Sequence, residues 1–143
     1  MPASGRLRAM LHVPGRLFSV NRATASLVPR LFARNERVVC LFEGDAGPFA
    51  LILVGAIFVG GMETVWAGEV TPARGQSPRR HYGDANPVDL TRGAEMGRFN
   101  MGSTVILLFP PGAVTWDGAL APGVPLRMGQ ALGRWDTVAN LVD

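Results

Sequence analysis

The sequence predicts a mainly β fold, a β-rich α+β chain whose short strands pack as a sandwich or partial barrel with few short helices. Three observations lead there. Eighteen Gly and eleven Pro in 143 residues leave little room for long helices. Between these breaks, short runs rich in Val, Ile, Leu and Phe recur at strand length. Apolar residues make up 48% of the chain, enough for one domain, 1–143, with a core of its own.

In chain order, "RAMLHVP" and "RLFSV" read as strands, and "RATASLVPRLFA", residues 22–33, is the best helical candidate, broken at Pro29. "RVVCLFE" reads as a strand with Cys40 inside it. "FALILVGAIFV" is the most apolar run, and "ETVWAGEV" follows as a further strand segment. Residues 72–93, "PARGQSPRRHYGDANPVDLTRG", are polar and rich in turn formers, so they read as an exposed loop within the domain. "STVILLFP", "GAVTW" and "PLRMG" complete the strand-like runs.

Composition excludes several chemistries. All fourteen basic residues are Arg, so no lysine can carry pyridoxal phosphate, a lipoyl or biotinyl group, or a Walker-type phosphate contact. Cys40, the single cysteine, forms no intrachain disulfide and reads as a small buried hydrophobe. His12 and His81 have no close Cys, Asp or Glu at ligand spacing, so no metal is expected, and each reads as a surface or packing residue. "PFALILVGAIFVGG", 48–61, is shorter than the roughly 20 residues of a spanning helix. "MPASGRLRAMLHVPG" lacks an apolar stretch after its arginines, so cytoplasmic synthesis is expected. Arg6, Arg8, Arg16, Arg22, Arg30, Arg34 and Arg37 crowd the first quarter. They suit either a membrane surface or an ordinary solvated one, and composition alone does not separate these. No nucleic-acid partner is expected.

The chemistry concentrates in "EMGRFNMGSTVILLFP", where Gly102-Ser103-Thr104 opens an apolar run. A hydrolase elbow needs Gly-x-Ser-x-Gly, which these residues do not form. A serine can instead attack the carbonyl before it, and glycine leaves that carbonyl uncrowded. The Gly102 acyl group then passes to the Ser103 oxygen as an ester. Elimination splits the chain and leaves dehydroalanine, which hydrolysis converts to a pyruvoyl group. Alternatively, the hydroxyls simply open a strand; the tripeptide alone leaves both readings standing.

Two long stretches, "FARNERVVCLFEGDAGPFALILVGAIFVGGMETVWAG" and "GAEMGRFNMGSTVILLFPPG", resemble bacterial phosphatidylserine decarboxylases, with similarity running from "VPGRLFSVN" to about "MGQALG". That family is cut within Leu-Gly-Ser-Thr, and here Met101 takes the place of Leu. The resemblance implies that Ser103 is the nucleophile and pyruvoyl precursor, the covalent group that forms a Schiff base with the substrate amine. It implies that Gly102 is the acyl donor and that Thr104 is either a hydrogen-bond helper during cleavage or a strand residue. It further implies that a β chain, 1–102, and an α chain, 103–143, stay together as a heterodimer. The substrate would be phosphatidylserine, decarboxylated to phosphatidylethanolamine by a peripheral protein at the cytoplasmic face of the cell membrane.

The family's self-cleavage uses an upstream Asp–His pair, and its histidine motif lies directly before the segment that Met1-Pro2 resembles. This implies a C-terminal portion, truncated before that pair. Strands that would meet the upstream half would then leave open edges and apolar surface, including part of 51–59. Glu63 reads as a buried polar residue near the site. A silent lipid-binding or interaction remnant is the alternative function, and a pyruvoyl decarboxylase of soluble amino acids would fit Ser103 but not the extended similarity.

Overall fold

The computed structural model describes residues 1–57, 59, 61–71, 80–102 and 104–136. Strands β1 (Gly5–Val13), β2 (Arg37–Gly44) and β3 (Gly47–Val54) lie side by side. Helices α1 (Arg22–Leu27) and α2 (Leu31–Arg34) connect the first two. There follow β4 (Met62–Thr64), β5 (Gly68–Thr71), β6 (Arg80–His81), β7 (Asp89–Leu90), β8 (Gly97–Phe99), β9 (Thr104–Leu108), β10 (Val114–Trp116) and β11 (Gly133–Trp135). The main antiparallel sheet runs β6-β1-β2-β3-β9, with β7 also on β1; β5-β4-β8 form a second sheet and β10-β11 a ribbon.

Strand periodicity decides what fills the core. Register pairs Leu7 with Phe42, Met10 with Cys40, and Cys40 with Leu51, so these side chains share one face. On that face Val38, Cys40 and Phe42 are buried together with Val59 and Met62, which come from the second sheet and the chain leading into it. Phe42 stacks on Phe49 with centroids 5.3 Å apart and meets the edge of Trp66 at 6.2 Å. The fold is mainly β, with several antiparallel sheets and few short helices, as expected. Cys40 is fully buried, which pushes its thiol up to about 12, as a small core hydrophobe requires.

Several sequence expectations change at their boundaries. The helical candidate divides as expected: Val28, before Pro29, is extended, and α2 starts after Arg30. "RLFSV" is not a strand. The Asn35 side chain accepts from Phe18 N–H at 3.0 Å and donates to Phe18 C=O at 2.8 Å and Gly55 C=O at 2.9 Å, so a buried amide takes over the pairing a ladder would supply. "PLRMG" is a turn, its Arg127 bonded to Gln130, the residue after the run, through both main chain and side chain. The apolar run after Phe49 stops being a strand at Val54, because Gly55 N–H turns to Glu36 C=O. Of 51–59, only Ile57 is exposed among the described residues; residues 51–54 and Val59 are buried.

Part of the polar excursion 72–93 is also ordered by pairing. Residues 72–79 lie outside the described residues, whereas β6 and β7 return to β1. Arg6 grips Asp89 in two hydrogen bonds of 2.8 and 3.1 Å, and this contact holds the Asp89 carboxyl below its ordinary value. A depressed carboxylate stabilises the fold above its unfolded value and loses that contribution as pH falls through the folded one. Acidification below the ordinary carboxylate range is therefore expected to loosen β7, and Asp89→Asn to do so at neutral pH. Faster exchange of the Leu7 amide, which donates to Val88 C=O at 2.9 Å, is the measurement.

Candidate active site

Register brings four strand ends together. Val13 pairs with Arg37, Arg37 with Val54, and Val54 with Thr104, so this end of the main sheet also carries Gly102, two residues before β9. Ser103 lies outside the described residues; both its neighbours are described. On the upstream side, Asn100 N–H donates to Gly61 C=O at 3.2 Å and Met101 N–H to Val59 C=O at 2.9 Å. On the downstream side, β9 pairs with β3 from Thr104–Val54 to Leu108–Ala50. The Gly102–Ser103 bond therefore joins two separately anchored segments.

Two glycines here have different reasons to be glycine. Gly97 in β8 lies so close to β4 that a Cβ would overlap the Glu63 carbonyl oxygen, so packing demands it. A Cβ at Gly102 would meet nothing within 4 Å, and Gly102 is exposed. Packing does not demand glycine at 102.

Thr104, half-buried, opens β9 opposite Val54. Glu63 is half-buried in β4 and pairs across the ladder with Arg98, four residues before Gly102. Asn35 and Val59, which sequence reading passed over, tie the loop after β1 and the chain before Gly102 to this end. Asn35 stands among Arg34, Glu36 and Arg37, so nothing in the sequence signalled its buried role.

The histidines lie elsewhere. His12 is buried on the inner face of β1, and its Nε2 meets Glu36 Oε1 at 2.8 Å; its Nδ1 has no hydrogen-bond partner among the described residues. It packs, as one of the two expected roles had it, and it is not a surface residue. The row His12–Val38–Leu53–Val105 puts three strand spacings, roughly 14 Å, between β1 and β9. His81 is exposed on β6, at the edge of the sheet opposite β9. His12→Gln and His81→Gln are therefore expected to leave processing unchanged, against the loss of about 10²–10⁴-fold that removing a general base brings. His12→Leu, which has no donor, is expected to cost about 1–3 kcal/mol of stability by unpairing Glu36. Intact-mass time courses and urea titrations separate the two effects.

Among the described residues, no group of three His, Cys, Asp or Glu side chains could hold a metal ion, and no helix is long and apolar enough to cross a membrane. A cavity of about 340 Å³, lined by Arg6, Glu43, Asp45 and Asp89 among others, opens where β1 begins and β2 ends, away from Gly102.

Comparison with known proteins identifies the family. A family model described as phosphatidylserine decarboxylase matches residues 1–134. The phosphatidylserine decarboxylase proenzyme of Azotobacter vinelandii is 59% identical over 136 residues, covering 94% of this chain and 48% of the relative. That of Pseudomonas fluorescens is 57% identical, covering 93% and 47%, and that of Nitrosococcus oceani 54% identical, covering 98% and 46%. The chain spans about half the length of the curated relatives it matches. With a family model running through all but its last nine residues, and both anchors of the 102–103 bond inside that match, the chain belongs to the phosphatidylserine decarboxylase family.

Proposed function

We propose that this chain carries the self-processing bond of a phosphatidylserine decarboxylase, and that the mature protein converts phosphatidylserine to phosphatidylethanolamine and CO₂ at the cytoplasmic face of the cell membrane. The observation that carries this reading is the Gly102-Ser103-Thr104 step in a chain of this family, with the glycine exposed and unencumbered between two anchored segments.

The chemistry balances with one water taken up and one ammonia released. Ser103 Oγ adds to the Gly102 carbonyl carbon; the amide C–N bond breaks and an ester C–O bond forms. Elimination then releases the Gly102 carboxylate and leaves dehydroalanine at position 103. Water displaces ammonia from its imine form, giving a pyruvoyl terminus. The residues present fit such a terminus, because it would start one residue before β9, already paired along β3. When present, the group supplies a carbonyl for the substrate amine and a sink for the electrons left by departing CO₂.

Strand pairing supports continued association of the two pieces. The 103–143 piece would keep its ladder from β9 to β3, and Phe109 and Trp135 rest on Phe49 at 6.0 and 6.1 Å. The test is intact mass on a denaturing separation, followed by CO₂ release from phosphatidylserine. Joined to the upstream Asp–His segment that the family's self-cleavage uses, the chain should yield two pieces parted at 102/103, the one starting at 103 without a free amino terminus. A protein that includes that pair, stays whole and is inert to hydroxylamine, which opens esters, would refute the reading.

A further inference from the structure

The end of the sheet that carries Gly102 also bears an element with little part in the core. Between β1 and β2, helix α1 buries none of its residues, and α2 buries Leu31 alone. Leu27 is 78% exposed, and Leu17 and Phe32 are exposed on the same connection. Ile57 and Met101, exposed at 57% and 62%, lie on the loops that leave β3 and approach β9 at this same end. Leu17 joins the two groups, since a Cβ on Gly55 would stand 3.5 Å from its Cδ2.

The charge on this element is one-sided. Arg16, Arg22, Arg30 and Arg34 are exposed, and none makes an ion pair among the described residues, whereas Arg6, Arg8 and Arg98 elsewhere do. Glu36, the only acid between Val13 and Arg37, is taken by His12. Asn35 clamps the connection to Gly55, and the Arg34 guanidinium sits 4.8 Å from the Phe18 ring centroid, so part of the cationic surface is held in place.

Exposed aliphatic side chains among unpaired guanidinium groups suit an interface between water and acyl chains with anionic headgroups. Guanidinium recognises phosphate in a fork, whereas Leu17, Leu27 and Ile57 have nothing to gain from stacked bases. We propose that the connection between β1 and β2, together with Ile57 and Met101, is the surface by which the protein lies on an anionic phospholipid bilayer, with Gly102 at the same end of the sheet. This deepens the proposed function and rests on it for the choice of a lipid partner. Phosphatidylserine carries a net negative charge and phosphatidylethanolamine none, so the surface favours the substrate's membrane over the product's.

The experiment is flotation of the full 143-residue chain with vesicles of phosphatidylcholine alone or with 30% phosphatidylglycerol. Phosphatidylglycerol has no amine to react, so binding is read independently of catalysis, and intact mass on the same sample reports processing separately. Binding to the anionic vesicles alone is expected, weakened about fivefold for each arginine removed in Arg22→Gln and Arg30→Gln. Leu27→Ser, at a site that packs little, should weaken it further without unfolding the chain. The pair Arg127→Gln and Arg134→Gln, beyond β9, should leave it unchanged. Equal binding to neutral vesicles, an equal loss from the control pair, or preferential capture by a DNA duplex would each overturn the proposal.

Discussion

Ser103→Ala is expected to leave the chain in one piece after prolonged incubation, with an unchanged far-ultraviolet spectrum. Without the hydroxyl no ester forms at Gly102, and hydroxylamine has nothing to open, so the loss of processing is complete. The fold should not notice, because β9 begins at residue 104 and its pairing with β3 is made by the main chain. Gly102→Ala extends the argument. The added methyl enters open space, so stability should hold, while a more crowded carbonyl slows acyl transfer. Gly97→Ala is the contrast: its methyl would overlap the Glu63 carbonyl and push β8 off β4. Processing lost at 102 with stability intact, and stability lost at 97, would separate chemistry from packing five residues apart. A Ser103→Ala chain that still parts at the same bond would end the assignment.

These contrasts mark what could be read from the sequence and what could not. Turn punctuation and β-rich runs located β1, β2, β3, β9 and β10; β2 buries alternate side chains at the strand period and β3 buries a continuous apolar run, both patterns that sequence displays directly. The two-residue strands β6 and β7 carry no such period; they exist because β1 offers an edge, and only tertiary structure reveals an edge. "RLFSV" has strand composition yet is held by one side chain, Asn35, whose three hydrogen bonds reach across 17 and 20 positions. Composition suited the arginines between β1 and β2 equally to a solvated face and to a membrane surface. The fold adds that these side chains share an end of the sheet with exposed leucines and with Gly102. The Gly-Ser-Thr step was visible as a motif, but its glycine's freedom from packing was not.

The largest loss of stability is expected at Phe49→Ala, and its consequence depends on whether the chain has been cut. Phe49 stacks on Phe42 at 5.3 Å from one side, and meets Phe109 at 6.0 Å and Trp135 at 6.1 Å from the other. It is thus the side chain through which the aromatic cluster of 103–136 grips the core of the first hundred residues. Truncating a buried phenylalanine costs about 3–5 kcal/mol, against a total of about 5–15 kcal/mol for a typical domain. The uncut chain can remain folded within that margin, because residues 102 and 103 stay covalently joined and the two parts keep a high effective concentration. The cut protein has no such tether. Phe49→Ala is therefore expected to lower the urea midpoint of the Ser103→Ala background, and to let the two pieces of the processed protein separate on gel filtration. Trp116→Ala removes an exposed ring that touches Phe109 alone among the aromatic contacts and should do neither. If the pieces stay together without Phe49, the ladder between β3 and β9 carries the association and the aromatic cluster is secondary to it.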